Sequence, residues 1–213
     1  MRVAVFRLLP ILVAFFLWCG FSQASAADNS ASAARRALEI STDRILTCIK
    51  NPDYVNPVTR PPLRRQIEEE VLHIFDFAEF SSRTVGQRWR SFTPEQQQNF
   101  SDAFADLLIT TYVSKIDGYN GENVAYAGET ASGDKVEVRT VITMKDGKKV
   151  PVSYRMLPKG NAWRVYDVLI ENVSLVKNYR DQFKGILNKD TPESLIERIR
   201  NKVKEVRQQH ATK

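Results

Sequence analysis

The octapeptide Trp163-Arg-Val-Tyr-Asp-Val-Leu-Ile170 narrows the possible folds more than any other segment. It reads as a strand, and successive side chains of a strand point to opposite sides of the sheet. Trp163, Val165 and Leu169 share one parity, while Tyr166, Val168 and Ile170 share the other. With both parities apolar, the strand belongs in a sheet covered on both faces.

The segments before it also alternate with period two. Val136, Val138, Thr140, Ile142 and Met144 are interleaved with Glu137, Arg139 and Thr143, and Val150, Val152, Tyr154 and Met156 form a return strand. Asp146-Gly147 between them is a hairpin turn, because both residues tolerate the positive φ such turns require. Pro158 to Asn161 turns again into the strand Ala162 to Ile170, and Asn123 to Ala127 is a weaker strand upstream. The pattern is an antiparallel meander.

Helical spacing governs the rest. Helices are expected from about Ala33 to Lys50 and from Leu63 to Ile74, separated by a loop with four prolines between Asn51 and Pro62. Asp76 and Glu79 form a capping box for a third helix, with Phe75 and Phe80 as a hydrophobic staple. Thr93, Pro94 and Gln96 open a fourth, whose apolar stripe is Phe100, Ala103, Phe104, Leu107, Leu108 and Tyr112. Leu175 to Leu187 and a helix opened by Thr191-Pro192 follow, and residues 207–213 read as a polar tail. Residues 28–206 are therefore expected to form one α+β domain.

Residues 1–27 are set apart. Arg2 and Arg7, the apolar run Leu8 to Phe21 and Ala24-Ser25-Ala26 have the form of a cleaved secretory signal peptide, which implies export. Of the 31 basic residues, Arg2 and Arg7 would leave with it, so the excess over 25 acids falls from +6 to about +4. No run of like charges accompanies this mild excess, so nucleic acid is not an indicated partner. Cys48 would be the one cysteine left and could form no internal disulfide; it shares a helix face with Ile45 and Ile49.

Catalytic groupings are sparse. His73 and His210 are the only histidines, too few for a convergent metal site. Ser174 has no Gly-x-Ser-x-Gly setting, and Gly118-Tyr-Asn-Gly121 is too short of glycine to cradle phosphate. Asp167, mid-strand, has two readings: a general base in a cupped sheet, or a structural acid paired with Arg164, Arg139 or Arg155.

Two ordered sets of residues carry a family resemblance. One is Trp163-Arg164-Val165-Tyr166-Asp167-Val168, Val173-Ser174-Leu175-Val176, Asn178-Tyr179-Arg180 and Phe183. The other is Phe75-Asp76-Phe77, Gly86, Trp89, Thr93-Pro94-Glu95-Gln96, Phe100, Phe104, Leu107-Leu108 and Tyr112, joined by Tyr119, Tyr154 and Arg155. From about Arg35 to Val203 the chain resembles the MlaC family, also called toluene-tolerance auxiliary proteins. Asn172 departs from the pattern, which leads one to expect glycine before Val-Ser-Leu-Val.

The resemblance implies an NTF2-like α+β fold with an apolar lipid cavity. It implies a monomeric periplasmic phospholipid carrier rather than an enzyme, with lipid as cargo and no cofactor. Its partners would be an inner-membrane ABC transporter bearing an MlaD-like ring and an outer-membrane MlaA-like lipoprotein with its porin. The candidate tail contacts are Leu107, Leu108, Tyr112, Val138, Val152, Tyr154, Trp163, Tyr166 and Val168. Arg155, Arg180 and Lys184 are candidates for a head-group rim or a partner contact. The competing readings are a hopanoid or other lipid carrier, a pocket enzyme using Asp167 with a tyrosine, and a periplasmic adaptor with a solid core.

Overall fold

The computed structural model describes residues 24–116 and 123–211; nearly all of the expected leader, the glycine-bounded turn and Tyr119 lie outside them. Four helices come first: α1 (Ala24–Lys50), α2 (Arg60–Ile74), α3 (Phe77–Val85) and α4 (Pro94–Ile116). The strands β1 (Asn123–Ser132), β2 (Lys135–Thr143), β3 (Lys149–Lys159), β4 (Ala162–Ile170) and β5 (Val173–Ser174) follow, then α5 (Leu175–Leu187) and α6 (Pro192–Ala211). The strands form one antiparallel sheet in the order β1-β2-β3-β4-β5, the expected meander with a short fifth member.

Local chemistry accounts for most element ends. Thr93 and Gln96 exchange both bonds of a capping box at the start of α4. At α3 only half of the box forms: the Asp76 carboxylate accepts from the Glu79 N–H, whereas the Glu79 carboxylate pairs with Arg83. The β4–β5 turn places Glu171 and Asn172 at φ of 50° and 66°. Asparagine tolerates this left-handed region, so the turn forms without the expected glycine.

The parity reading of β4 needs correction. Arg155 of β3 pairs with Asp167, but Met156 pairs with Val165, which leaves Tyr166 as the extra residue of a β-bulge. The bulge lets Val165 and Val168 both face the core, where both are buried. The sheet is consequently roofed by helices on one face. Its other face carries Glu137, Arg139 and Arg155, all partly exposed, as charges that need water or partners must be.

Helix boundaries also differ from expectation. α1 is already helical at Ala24, because the alanine-rich segment favours helix and Ala31 and Ala34 seat in the core. Pro61 and Pro62 fall in the first turn of α2, where a missing N–H costs nothing. The expected polar tail is helical to Ala211, with Arg207 pairing Asp106 of α4. Within the roof, Phe104 meets the rings of Phe80, Phe100, Tyr179 and Phe183 at 4.9–5.7 Å between centroids.

Candidate functional site: an apolar cavity between roof and sheet

The core divides into two packed clusters. The larger joins the sheet to all six helices, with phenylalanine rings at its centre; the smaller gathers Ile49, Tyr54, Ile67, Ile109 and Val113. An apolar cavity of about 300 Å³ lies where they meet. Its floor is Ile142, Val152, Tyr154, Val168 and Ile170, from β2, β3 and β4. Leu38 and Ile45 of α1, Val71 and Ile74 of α2, and Phe77 and Phe80 of α3 form its roof, and Leu108, Ile109, Tyr112 and Val113 of α4 close one side.

The void follows from side-chain size. Around Phe104 the space between helices is filled by aromatic rings, whereas at the cavity α1 and α2 present Leu38, Ile45, Val71 and Ile74, which leave part of it unfilled. Tyr154 borders the hollow: burial pushes its phenol up to about 12, while the residue as a whole is half-buried. Burial likewise raises the phenol of Tyr112. The other polar groups on the wall are Ser41 and Thr42, and the Ser41 hydroxyl donates to Glu70 at 2.6 Å.

Five of the residues singled out from sequence line this space: Leu108, Tyr112, Val152, Tyr154 and Val168. Leu107 and Val138 are buried in the larger cluster without reaching it. Trp163 packs beside Ala37, Ile40 and Ile74 in a separate surface groove. The bulge carries Tyr166 to the opposite face, where the Arg83 guanidinium lies 4.2 Å above its ring. The α1 and α2 contribution was missed, although Leu38 and Ile45, and Val71 and Ile74, stand at helical spacing; sequence did not show which helix face met the floor.

Arg155 and Arg180 are not at the cavity. They border a polar pocket across the sheet, together with Arg83, Asp167 and Lys177. Arg180 donates twice to the Arg83 carbonyl, at 2.8 and 2.6 Å. Lys184 is exposed on α5.

Asp167 is held in place rather than poised. Only 2 % exposed, it accepts from the Ser174 hydroxyl at 2.7 Å, the Val176 N–H at 3.0 Å and Arg155 at 3.4 Å. Ser174 caps the Lys177 N–H, so serine and aspartate together satisfy two free donors at the start of α5. Of the three arginines proposed as its partner, Arg155 is the one that pairs. Cys48 is half-buried, and its thiol faces Gln66 at 3.5 Å. Burial and the Glu70 carboxylate raise its pKa.

A helix-roofed antiparallel meander enclosing an apolar cavity defines a class of small α+β domain with a hollow interior. The chain belongs to the MlaC protein family, whose model matches residues 39–201. It is 24% identical over 155 residues to the intermembrane phospholipid transport system binding protein MlaC of Haemophilus influenzae, covering 70% of this chain and 69% of that one. It is 28% identical over 102 residues to the toluene tolerance protein ttg2D of Pseudomonas putida, spanning 47% of each. Among solved structures it resembles a phospholipid-binding protein from Ralstonia solanacearum in complex with a phospholipid. The TM-score is 0.73 at 26% identity, covering 81% of this chain and 98% of that one.

Proposed function

We propose that this protein is a periplasmic phospholipid carrier, not an enzyme, which holds acyl chains in the cavity under α1 and α2. The observation that carries this reading is the apolar hollow at the seam of two packed clusters. The names of its relatives support phospholipid as the cargo. The energetic need is large. Two acyl chains carry roughly thirty methylenes, and at about 0.8 kcal/mol each their exposure to water costs on the order of 25 kcal/mol.

The cavity sits at the low end of the roughly 300–1,000 Å³ range of ligand sites. It suits part of one chain, so full loading requires α1 and α2 to stand further from the sheet. Leu108, Tyr112, Val152, Tyr154 and Val168 are then tail contacts. Arg155, Arg180 and Lys184 lie away from the cavity and serve as partner contacts rather than a head-group rim. Shuttling between an MlaD-like ring of an inner-membrane transporter and an MlaA-like outer-membrane lipoprotein completes the reading.

Native mass spectrometry of the purified protein tests it. A bound phospholipid is expected in the wild type and a large loss in V152W and V168W, which fill the floor of the cavity. Equal loading in both variants and the wild type would overturn the assignment of the site.

A further inference from the structure

The loop from Asn51 to Arg60 joins α1 to α2 and presents Val55 and Val58 to solvent. They are 77% and 84% exposed, more than any other large apolar side chain described. The loop is nevertheless tightly built. The Asn51 and Asn56 side chains accept from the Asp53 and Val58 N–H groups. The Thr59 hydroxyl donates to the Asp53 carbonyl, and the Arg60 guanidinium donates to those of Tyr54 and Val55. The carbonyls of Asn51, Pro52 and Asn56 accept backbone N–H groups.

Six consecutive carbonyls, Asn51 to Asn56, thus accept bonds from within the loop. Water would satisfy them without this arrangement, whereas a lipid interface would not. Val55 thus stands on a stretch whose carbonyls are satisfied and can enter an apolar medium without stranding them, and Val58, whose N–H is bonded to the Asn56 side chain, stands beside it. Lys50 and Arg65 flank the loop and are exposed, and Asp53 is its one acid, so the surroundings favour a negative surface.

The loop is also continuous with the cavity. Tyr54 is buried beneath it in the smaller cluster, and Ile109 and Val113 of that cluster line the cavity wall. We propose that this loop docks the protein onto an anionic lipid bilayer, with Val55 and Val58 entering the interface and Lys50 and Arg65 meeting the head groups. This rests on the carrier reading above and adds the surface at which cargo is exchanged.

Vesicle flotation tests it. Sealed vesicles of phosphatidylethanolamine with phosphatidylglycerol are compared with phosphatidylcholine vesicles, for the wild type and for V55D/V58D. The wild type should favour the anionic vesicles and lose binding as salt rises. V55D/V58D should bind about tenfold more weakly or worse. Because neither valine lines the cavity, V55D/V58D should keep the wild-type amount of co-purified lipid. In V58W, tryptophan emission should shift to the blue when anionic vesicles are added. Equal vesicle binding by wild type and V55D/V58D, or none by wild type, overturns the docking proposal. Absence of co-purified lipid from both proteins overturns the carrier reading instead, whatever the vesicles show.

Discussion

Replacing Asp167 by alanine isolates what this buried carboxylate does. The change strands the Val176 N–H and the Ser174 hydroxyl, each bonded to a charged acceptor in the wild type. Such bonds are worth about 1.5–3 kcal/mol each. Arg155 contributes less, because its side chain is 40% exposed and water screens the pair. The expected loss is therefore about 3–5 kcal/mol. For a domain of this size each kcal/mol moves the melting temperature by roughly 2–4 °C, so thermal unfolding should shift down by about 10 °C. Co-purified lipid should persist in the surviving folded fraction and in the milder Asp167→Asn variant, since the carboxylate lies across the sheet from the cavity. A melting temperature within about 2 °C of wild type would refute the structural role. Full stability with loss of lipid would instead point to direct action on the ligand.

Three further outcomes follow from the geometry. Phe104→Ala should cost about 3–5 kcal/mol in urea unfolding, because four rings close on Phe104; a loss below 1 kcal/mol would contradict that packing. Between pH 10 and 12 the native protein keeps the Tyr154 proton that the unfolded chain releases, since burial raises that phenol to about 12. Stability should thus fall as pH rises, with Tyr154 contributing about 1.4 kcal/mol per unit beside Tyr179, whose phenol burial also pushes up to about 12, and an undiminished slope in Tyr154→Phe would assign it elsewhere. Asn172→Gly should change stability by less than about 1 kcal/mol, since glycine relieves the positive φ but frees the unfolded chain; a larger change in thermal unfolding would mean that the asparagine side chain has another role.

The meander was legible because alternation and Asp146-Gly147 are local signals. So was the start of α4, where Thr93 and Gln96 meet within one turn. The half-made box at Asp76 was not, because its outcome depends on distant groups. One Asp76 oxygen pairs with Lys159, and the Asp76 N–H donates to the Val165 carbonyl. The bulge at Tyr166 was hidden for a related reason. Strict alternation assumes one residue opposite one, and the extra residue becomes visible only once β3 and β4 are paired. That single slip moved Tyr166 out of the proposed site. Likewise, helical spacing in α1 and α2 told which face is buried but not that Leu38, Ile45, Val71 and Ile74 border an unfilled space.

The division of the core into two clusters bears on how selective such a protein can be. A void inside one packed body grows only by separating side chains that touch. A void bordered by two clusters that share α1, α2 and α4 grows by a shift of those helices against the sheet. The range of guests is then governed by how far those helices can shift. Chains differing in length or unsaturation could share one protein without any side chain being tailored to them.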